Sequence, residues 1–240
     1  MTELSGEIVI GGLDTYVAYP TQTNGIYHKD RAIVFATDIF GWKFEQAREI
    51  AHRVANKSNC RVFIPDIILN DNALKPTFDR SELAPWFEKH GDVQTPPLLS
   101  QVIQGLRKEE SIKVLVTAGF CWGGRYSLLS SYGEIPIVDG FAVAHPSRTV
   151  ANDYIHANTP GLFLLAETDS SFPAEVVEEV KTLCKDKDFT FCGPYQTTQH
   201  GYAIRGSDED PLIAFARQDS IEQLAKFLEY VANKQINKIL

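Results

Sequence analysis

Cys121 lies in Ala118-Gly119-Phe120-Cys121-Trp122-Gly123-Gly124, directly after the apolar run Ile112–Thr117. A cysteine with glycine two residues before and two after it, between a strand and a helix, fits a nucleophile elbow. The turn is too tight for side chains at the flanking positions, so glycine occupies them. The thiol is then presented at the carboxyl end of a strand, where a thiolate can attack a carbonyl carbon. The competing reading is a buried structural cysteine at a glycine turn.

A cysteine nucleophile needs a base to take or share its proton, and the base needs an orienting group. In an α/β-hydrolase these follow in the order nucleophile, acid, histidine. Ala166-Glu167-Thr168-Asp169 follows the apolar run Leu162–Leu165 and offers Asp169, with Glu167 as the competing acid. Asp169 is preferred because a loop position beyond the strand end can turn towards the site. The base is expected on a loop between the last strand and the last helix, and His200 sits there. His145, before Pro146, closes a strand and precedes both acids, so it fits that order poorly. It is a candidate for lining the pocket. His28, His52, His90 and His156 read as solvated.

The elements that must hold these groups alternate. Glu7–Ile10 and Thr15–Tyr19 read as a hairpin around Gly11-Gly12. Ala32–Ala36, Arg61–Pro65, Lys113–Thr117, Val138–Ala144, Leu162–Ala166 and Phe189–Cys192 read as strands. Phe44–Lys57 reads as a helix with Ala47, Ile50, Ala51, Val54 and Ala55 on one face. Further helices are expected from Trp122 to Ser131 and from Ala174 to Lys185, the latter with Leu183 and Cys184 inward. The last helix starts with Asp210 as N-cap and Pro211 in its first turn. It is expected to reach about Ala232 and to bury Phe215, Ile221, Leu224, Leu228 and Val231. The fold class is α/β, a mostly parallel central sheet with helices on both faces, in a single domain over residues 1–240. Asp66–Thr77 is the least regular stretch, and Asn70–Phe87 is a candidate to line or cover the pocket.

Three segments resemble the dienelactone hydrolase (carboxymethylenebutenolidase) family of α/β-hydrolases. They are Thr37-Asp38-Ile39-Phe40-Gly41-Trp42, Gly119-Phe120-Cys121-Trp122-Gly123-Gly124 and His200-Gly201-Tyr202-Ala203-Ile204-Arg205. The resemblance implies Cys121 as nucleophile, His200 as base and Asp169 as its orienter. It implies hydrolysis of an enol-lactone carrying a carboxylate, through a thioester acyl-enzyme. An acid at the position of Asp38 meets the resting thiol in family members. Here aspartate reaches about 1.5 Å less than glutamate would. The oxyanion would be held by the backbone N–H groups of Trp122 and Ile39. The family holds the substrate carboxylate with arginines; Arg205 is the candidate after the histidine, and Arg80 and Arg125 are others.

Composition narrows the partners. The chain has 240 residues, 44% of them hydrophobic, and a net charge of −8. No basic stretch suits nucleic acid or an anionic membrane. The cysteines Cys60, Cys121, Cys184 and Cys192 show no C-x-x-C spacing, so no metal site and no cofactor are expected. All but Cys121 read as structural. No signal peptide or spanning run is visible, and a cytoplasmic chain, monomer or homodimer, acting on a small lactone or ester is expected. A glutamine-amidotransferase-like enzyme shares the cysteine elbow but places glutamate two residues after its histidine, where Tyr202 stands. A non-catalytic binding module would be expected to have lost the nucleophile, acid or histidine.

Overall fold

Apolar runs flanked by amphipathic helices build one sheet whose parallel strands all deliver chain to the same edge. The computed structural model describes residues 5–21, 25–73 and 79–239. Within them the strands are β1 (Gly6–Ile10), β2 (Leu13–Ala18), β3 (Arg31–Ala36), β4 (Arg61–Pro65), β5 (Val114–Phe120), β6 (Gly140–Ala144), β7 (Gly161–Thr168) and β8 (Phe189–Gln199). Their order is β1-β2-β4-β3-β5-β6-β7-β8. β1 and β2 form the antiparallel edge, and β2 runs antiparallel to β4. From β4 to β8 every neighbouring pair is parallel.

The helices are α1 (Glu45–Ser58), α2 (Leu83–Lys89), α3 (Thr95–Glu109), α4 (Trp122–Leu129), α5 (Ala174–Leu183), α6 (Tyr202–Arg205) and α7 (Pro211–Ile239). α1, α6 and α7 pack on one face, where Ile33, Phe35, Val116 and Ala118 meet Ala51, Val54, Ile204 and Leu224. α2, α3 and α4 pack on the other face against Val34, Phe63 and Leu115. α5 joins them there, over Phe141, Val143 and Phe163. Strands covered on both faces have no polar side, which is why Ala32–Ala36 is a continuous apolar run. α1 buries the expected stripe and stops at Asn59, whose left-handed backbone (φ 50°) ends the helix. Asp210 caps α7: its Oδ1 accepts from the N–H of Leu212 (2.8 Å) and of Ile213 (3.3 Å).

Several expectations are corrected. α3 is absent from the expected helices; Pro96 and Pro97 sit in its first turn, where a backbone N–H has no helical partner to lose. β8 runs past Gly193-Pro194 to Gln199 because it is an edge strand, which tolerates proline. α7 extends to Ile239. Phe215 and Leu183 are exposed rather than buried. His90 is buried, its Nε2 3.0 Å from Asp71 Oδ2. His52 is half-buried, with its Nε2 2.7 Å from Tyr16 Oη.

Candidate active site

β5 runs straight into Cys121, whose backbone adopts φ 52°, ψ −118°. Such a conformation in a residue with a side chain costs about 1–3 kcal/mol and persists where the surroundings enforce it. The enforcement is visible on both sides. The N–H of Cys121 donates to the carbonyl of Ala144 (3.3 Å), and its own carbonyl accepts from Gly124 (3.0 Å) and Ser147 (2.9 Å). A Cβ on Gly119 would lie 2.4 Å from Gly123 O, and one on Gly123 would lie 2.0 Å from Ala36 O. The two glycines thus let α4 close down on the ends of β3 and β5. The thiol itself is half-buried.

Asp169 follows β7 directly and is buried. Its Oδ1 accepts from the N–H of Ser171 (2.8 Å) and of Phe172 (3.3 Å). Both carboxylate oxygens lie 2.9 Å from His200 Nδ1, so that nitrogen carries the proton it donates. His200 sits immediately past β8. Burial pulls its pKa down, but hydrogen bonds with Asp169 and with the Cys121 thiol outweigh this and bring it up to about 9. With Nδ1 committed to Asp169, the thiol falls to Nε2. Glu167 is exposed, and its Oε2 instead accepts from the N–H of Thr197 (2.7 Å).

Asp38 lies two residues past β3, fully buried. One oxygen accepts from the N–H of Phe40 (3.1 Å) and the other takes a hydrogen bond from Arg205 Nη1. Burial pushes its pKa up, against the opposing pull of Arg205, the Phe40 N–H and His200. The carboxylate is therefore turned to Arg205. Among the described residues, the sulfur's side-chain contact outside the His200 pairing is Ser147 Oγ, at 3.7 Å.

The sequence profile of the dienelactone hydrolase family matches residues 13–232. The chain belongs to the dienelactone hydrolase family. It is 28% identical over 233 residues to a carboxymethylenebutenolidase homolog of Xenopus tropicalis, covering 92% of this chain and 90% of that one. It is 30% identical over 176 residues to an endo-1,3;1,4-beta-D-glucanase of Zea mays, covering 72% of this chain and 53% of the relative. The fold is similar to a crystal structure from Klebsiella pneumoniae described as a candidate dienelactone hydrolase. The TM-score is 0.76 at 20% identity, over 94% of this chain and 98% of that one. The enzyme class that goes with the family is that of the carboxylic ester hydrolases.

In this member of the family the candidate arginines divide. Arg205 lies across Gly201, where a Cβ would sit 2.1 Å from its Nη2, and its guanidinium is 5.1 Å from the centre of the Phe40 ring. Arg125 braces loops instead: it bonds Asp92 through two nitrogens (2.7 and 2.5 Å), Asp153 (3.2 Å) and the carbonyl of Arg148 (2.8 Å). The side chain of Arg80 lies outside the described residues, as do residues 74–78 of the stretch expected to cover the pocket. On either side of that gap, Ala73 donates its N–H to Ile39 O (2.9 Å) and Trp86 packs edge-on against Trp122 (5.1 Å).

Two further residues neighbour the site: His145, a candidate from sequence for lining the pocket, and Ser147, which has no role on sequence grounds. His145 is buried beside His200, ring centres 5.1 Å apart, with neither ring nitrogen hydrogen-bonded among the described residues. Burial, the charge on His200 and Arg205 hold its pKa well below the usual value, so the ring is neutral. A strand-ending His-Pro pair was visible in sequence; the contact of the following Ser147 with Cys121, 26 residues earlier, was not. The remaining thiols stay apart from this chemistry. Burial raises the pKa of Cys184 and Cys192 and pushes Cys60 up to about 12. Among the described residues no His/Cys/Asp/Glu cluster could hold a metal ion, and no helix is long and apolar enough to cross a membrane.

Proposed function

We propose that this chain hydrolyses small lactones or activated esters through a Cys121–His200–Asp169 triad and a thioester acyl-enzyme. The observation that carries the reading is the double contact of His200 Nδ1 with the Asp169 carboxylate, at 2.9 Å to each oxygen, behind a nucleophile held at φ 52°. His200 takes the thiol proton, and the sulfur adds to the acyl carbon to give a tetrahedral oxyanion. The N–H groups of Trp122 and Ile39 are its donors. Neither has a hydrogen-bond acceptor among the described residues, and Trp122 opens a helix, whose first N–H groups have no partner within it. The C–O bond breaks as the imidazolium returns its proton to the leaving oxygen. Water then adds to the thioester, giving its proton to His200, and the thiol leaves with the acid product.

A thiolate is expelled more readily than an alkoxide, so the tetrahedral adduct goes forward only with a good leaving group. Enol and aryl esters therefore suit the site better than alkyl esters or amides. Arg205 adds a preference for a carboxylate-bearing substrate. Its guanidinium is partly exposed while Asp38 is not, so an anionic substrate competes with Asp38 for it. The triad needs no metal or cofactor, because nucleophile, base and acid are all side chains of the chain.

The test is a hydrolysis panel of dienelactone, enol acetate, aryl acetate and ethyl ester, run on wild type and Cys121→Ala. Turnover of the activated esters by wild type alone, with a thioester adduct at Cys121 seen by mass spectrometry, is expected. Turnover retained by Cys121→Ala sinks the triad.

A further inference from the structure

One short segment touches both the proposed nucleophile and its base. It follows β6 and comprises His145, Pro146, Ser147 and Arg148. His145 (φ 39°) and Arg148 (φ 60°) both hold left-handed backbone with side chains attached, as Cys121 does. Strain of this kind survives where neighbours over-determine it. Pro146 fills the space beside Gly124, where a Cβ would come within 2.8 Å of it. His145 stands edge-on to His200. Ser147 is buried, donates its N–H to the carbonyl of Cys121 (2.9 Å) and puts its Oγ 3.7 Å from the sulfur.

We propose that Ser147 is a positioning residue for Cys121, its hydroxyl donating to the sulfur and favouring the ionised form. This rests on the reading of Cys121 as the nucleophile. A thiol can give or take a hydrogen bond with the hydroxyl, but a thiolate can only accept, and a donor to the charged form stabilises it. A carboxylate in the same place would do the opposite, since one negative charge opposes another. Here Asp38 is turned to Arg205, which leaves the sulfur a neutral donor as its second partner. No other hydrogen bond engages the Ser147 hydroxyl among the described residues, so it is free to follow the sulfur. The other groups facing the site are His200 with Asp169 behind it, the neutral His145, and the Asp38–Arg205 pair. Arg148 is turned away over the Phe87 ring, at 4.6 Å.

The experiment is the pH dependence of iodoacetamide alkylation at Cys121, with the site of labelling read by peptide mass spectrometry. Ser147→Ala is expected to move the alkylation midpoint up by about one pH unit, the scale of one hydrogen bond to a charged group. The rate below the midpoint then falls about tenfold, and kcat/KM for an aryl ester at neutral pH falls with it. Ser147→Thr, which keeps the hydroxyl, returns the midpoint towards wild type. Melting curves check that both variants fold, and the backbone bond to Cys121 survives either change. A midpoint that does not move, or that moves down, overturns the proposal. Turnover retained by Cys121→Ala is a separate failure: it removes the nucleophile reading and leaves the alkylation midpoint to judge Ser147.

Discussion

Arg205 and Asp38, 167 residues apart in the chain, form an ion pair in which the carboxylate is fully buried and the guanidinium is partly open to solvent. The two partners therefore do not fail symmetrically. Arg205→Gln leaves a buried carboxylate with no counter-charge and is expected to cost about 3 kcal/mol. Asp38→Asn leaves a guanidinium that can turn to water and should cost about 1 kcal/mol. Burial raises the folded-state pKa of Asp38 above its ordinary 3.8. A raised carboxylate favours folding below its unfolded value, and that advantage is lost as pH rises through the folded value. The deficit of Arg205→Gln against wild type should accordingly shrink from pH 7.5 to pH 5. Melting temperatures of both variants at the two pH values check the order and the trend.

His200 gives a pH signature of the opposite origin. Its folded pKa, about 9, lies above the ordinary 6.5. Stability from this pairing is fully present below about 6.5 and is lost as pH rises through about 9. His200→Gln does not titrate there. The stability gap between wild type and this variant should fall by roughly 3 kcal/mol between pH 6 and pH 10. Denaturant unfolding of both proteins across that range is the measurement, and a gap that widens with pH would show that His200 is not held protonated by Asp169 and Cys121.

The choice of acid is tested by a paired substitution. Asn at position 169 keeps an acceptor for the N–H groups of Ser171 and Phe172 but removes the charge facing His200 Nδ1. Asp169→Asn should lower kcat about 10²–10⁴-fold with the fold retained. Glu167 is exposed and bonded to Thr197, so Glu167→Gln should leave kcat within about twofold. The reverse pattern would move the acid to Glu167.

What could be read from sequence here was local. The stripe Ala47, Ile50, Ala51, Val54, Ala55 places α1 to within a residue at each end, because its period is written in the helix itself. Cys121 and Asp169 were legible because each comes just after an apolar strand-like run, and His200 because it precedes the last helix. The fold brings the three together at the ends of parallel strands, with β8 running on from Cys192 to Gln199. What stayed hidden depends on partners distant in the chain. His90 reads as a polar surface residue until Asp71 and Trp86 close over it. Phe215 fits the apolar stripe of α7, yet the fold leaves it exposed. Asp38 has the residue type of a thiol partner, and only the fold shows that Arg205 reaches its carboxylate.

Gly123 tests whether the elbow is as tight as its spacing implied. A Cβ there would lie 2.0 Å from the carbonyl oxygen of Ala36 and 2.4 Å from that of Thr37. Both are backbone atoms at the end of β3, so no side chain can swing aside. Gly123→Ala must lift α4 off the strand, and with it the N–H of Trp122 from that of Ile39. Overpacking of this kind costs about 1–3 kcal/mol, more where backbone must move, and kcat should fall at least about 100-fold, the scale of losing one oxyanion donor. Gly133 and Gly6 separate this from generic effects of glycine replacement. A Cβ on either meets nothing within 4 Å, but Gly133 has φ +87°. Gly133→Ala should cost about 1 kcal/mol through its backbone alone, and Gly6→Ala should be close to neutral, both with kcat unchanged. Equal loss of kcat in all three variants would mean that the approach of α4 to β3 is not what sets the reaction rate.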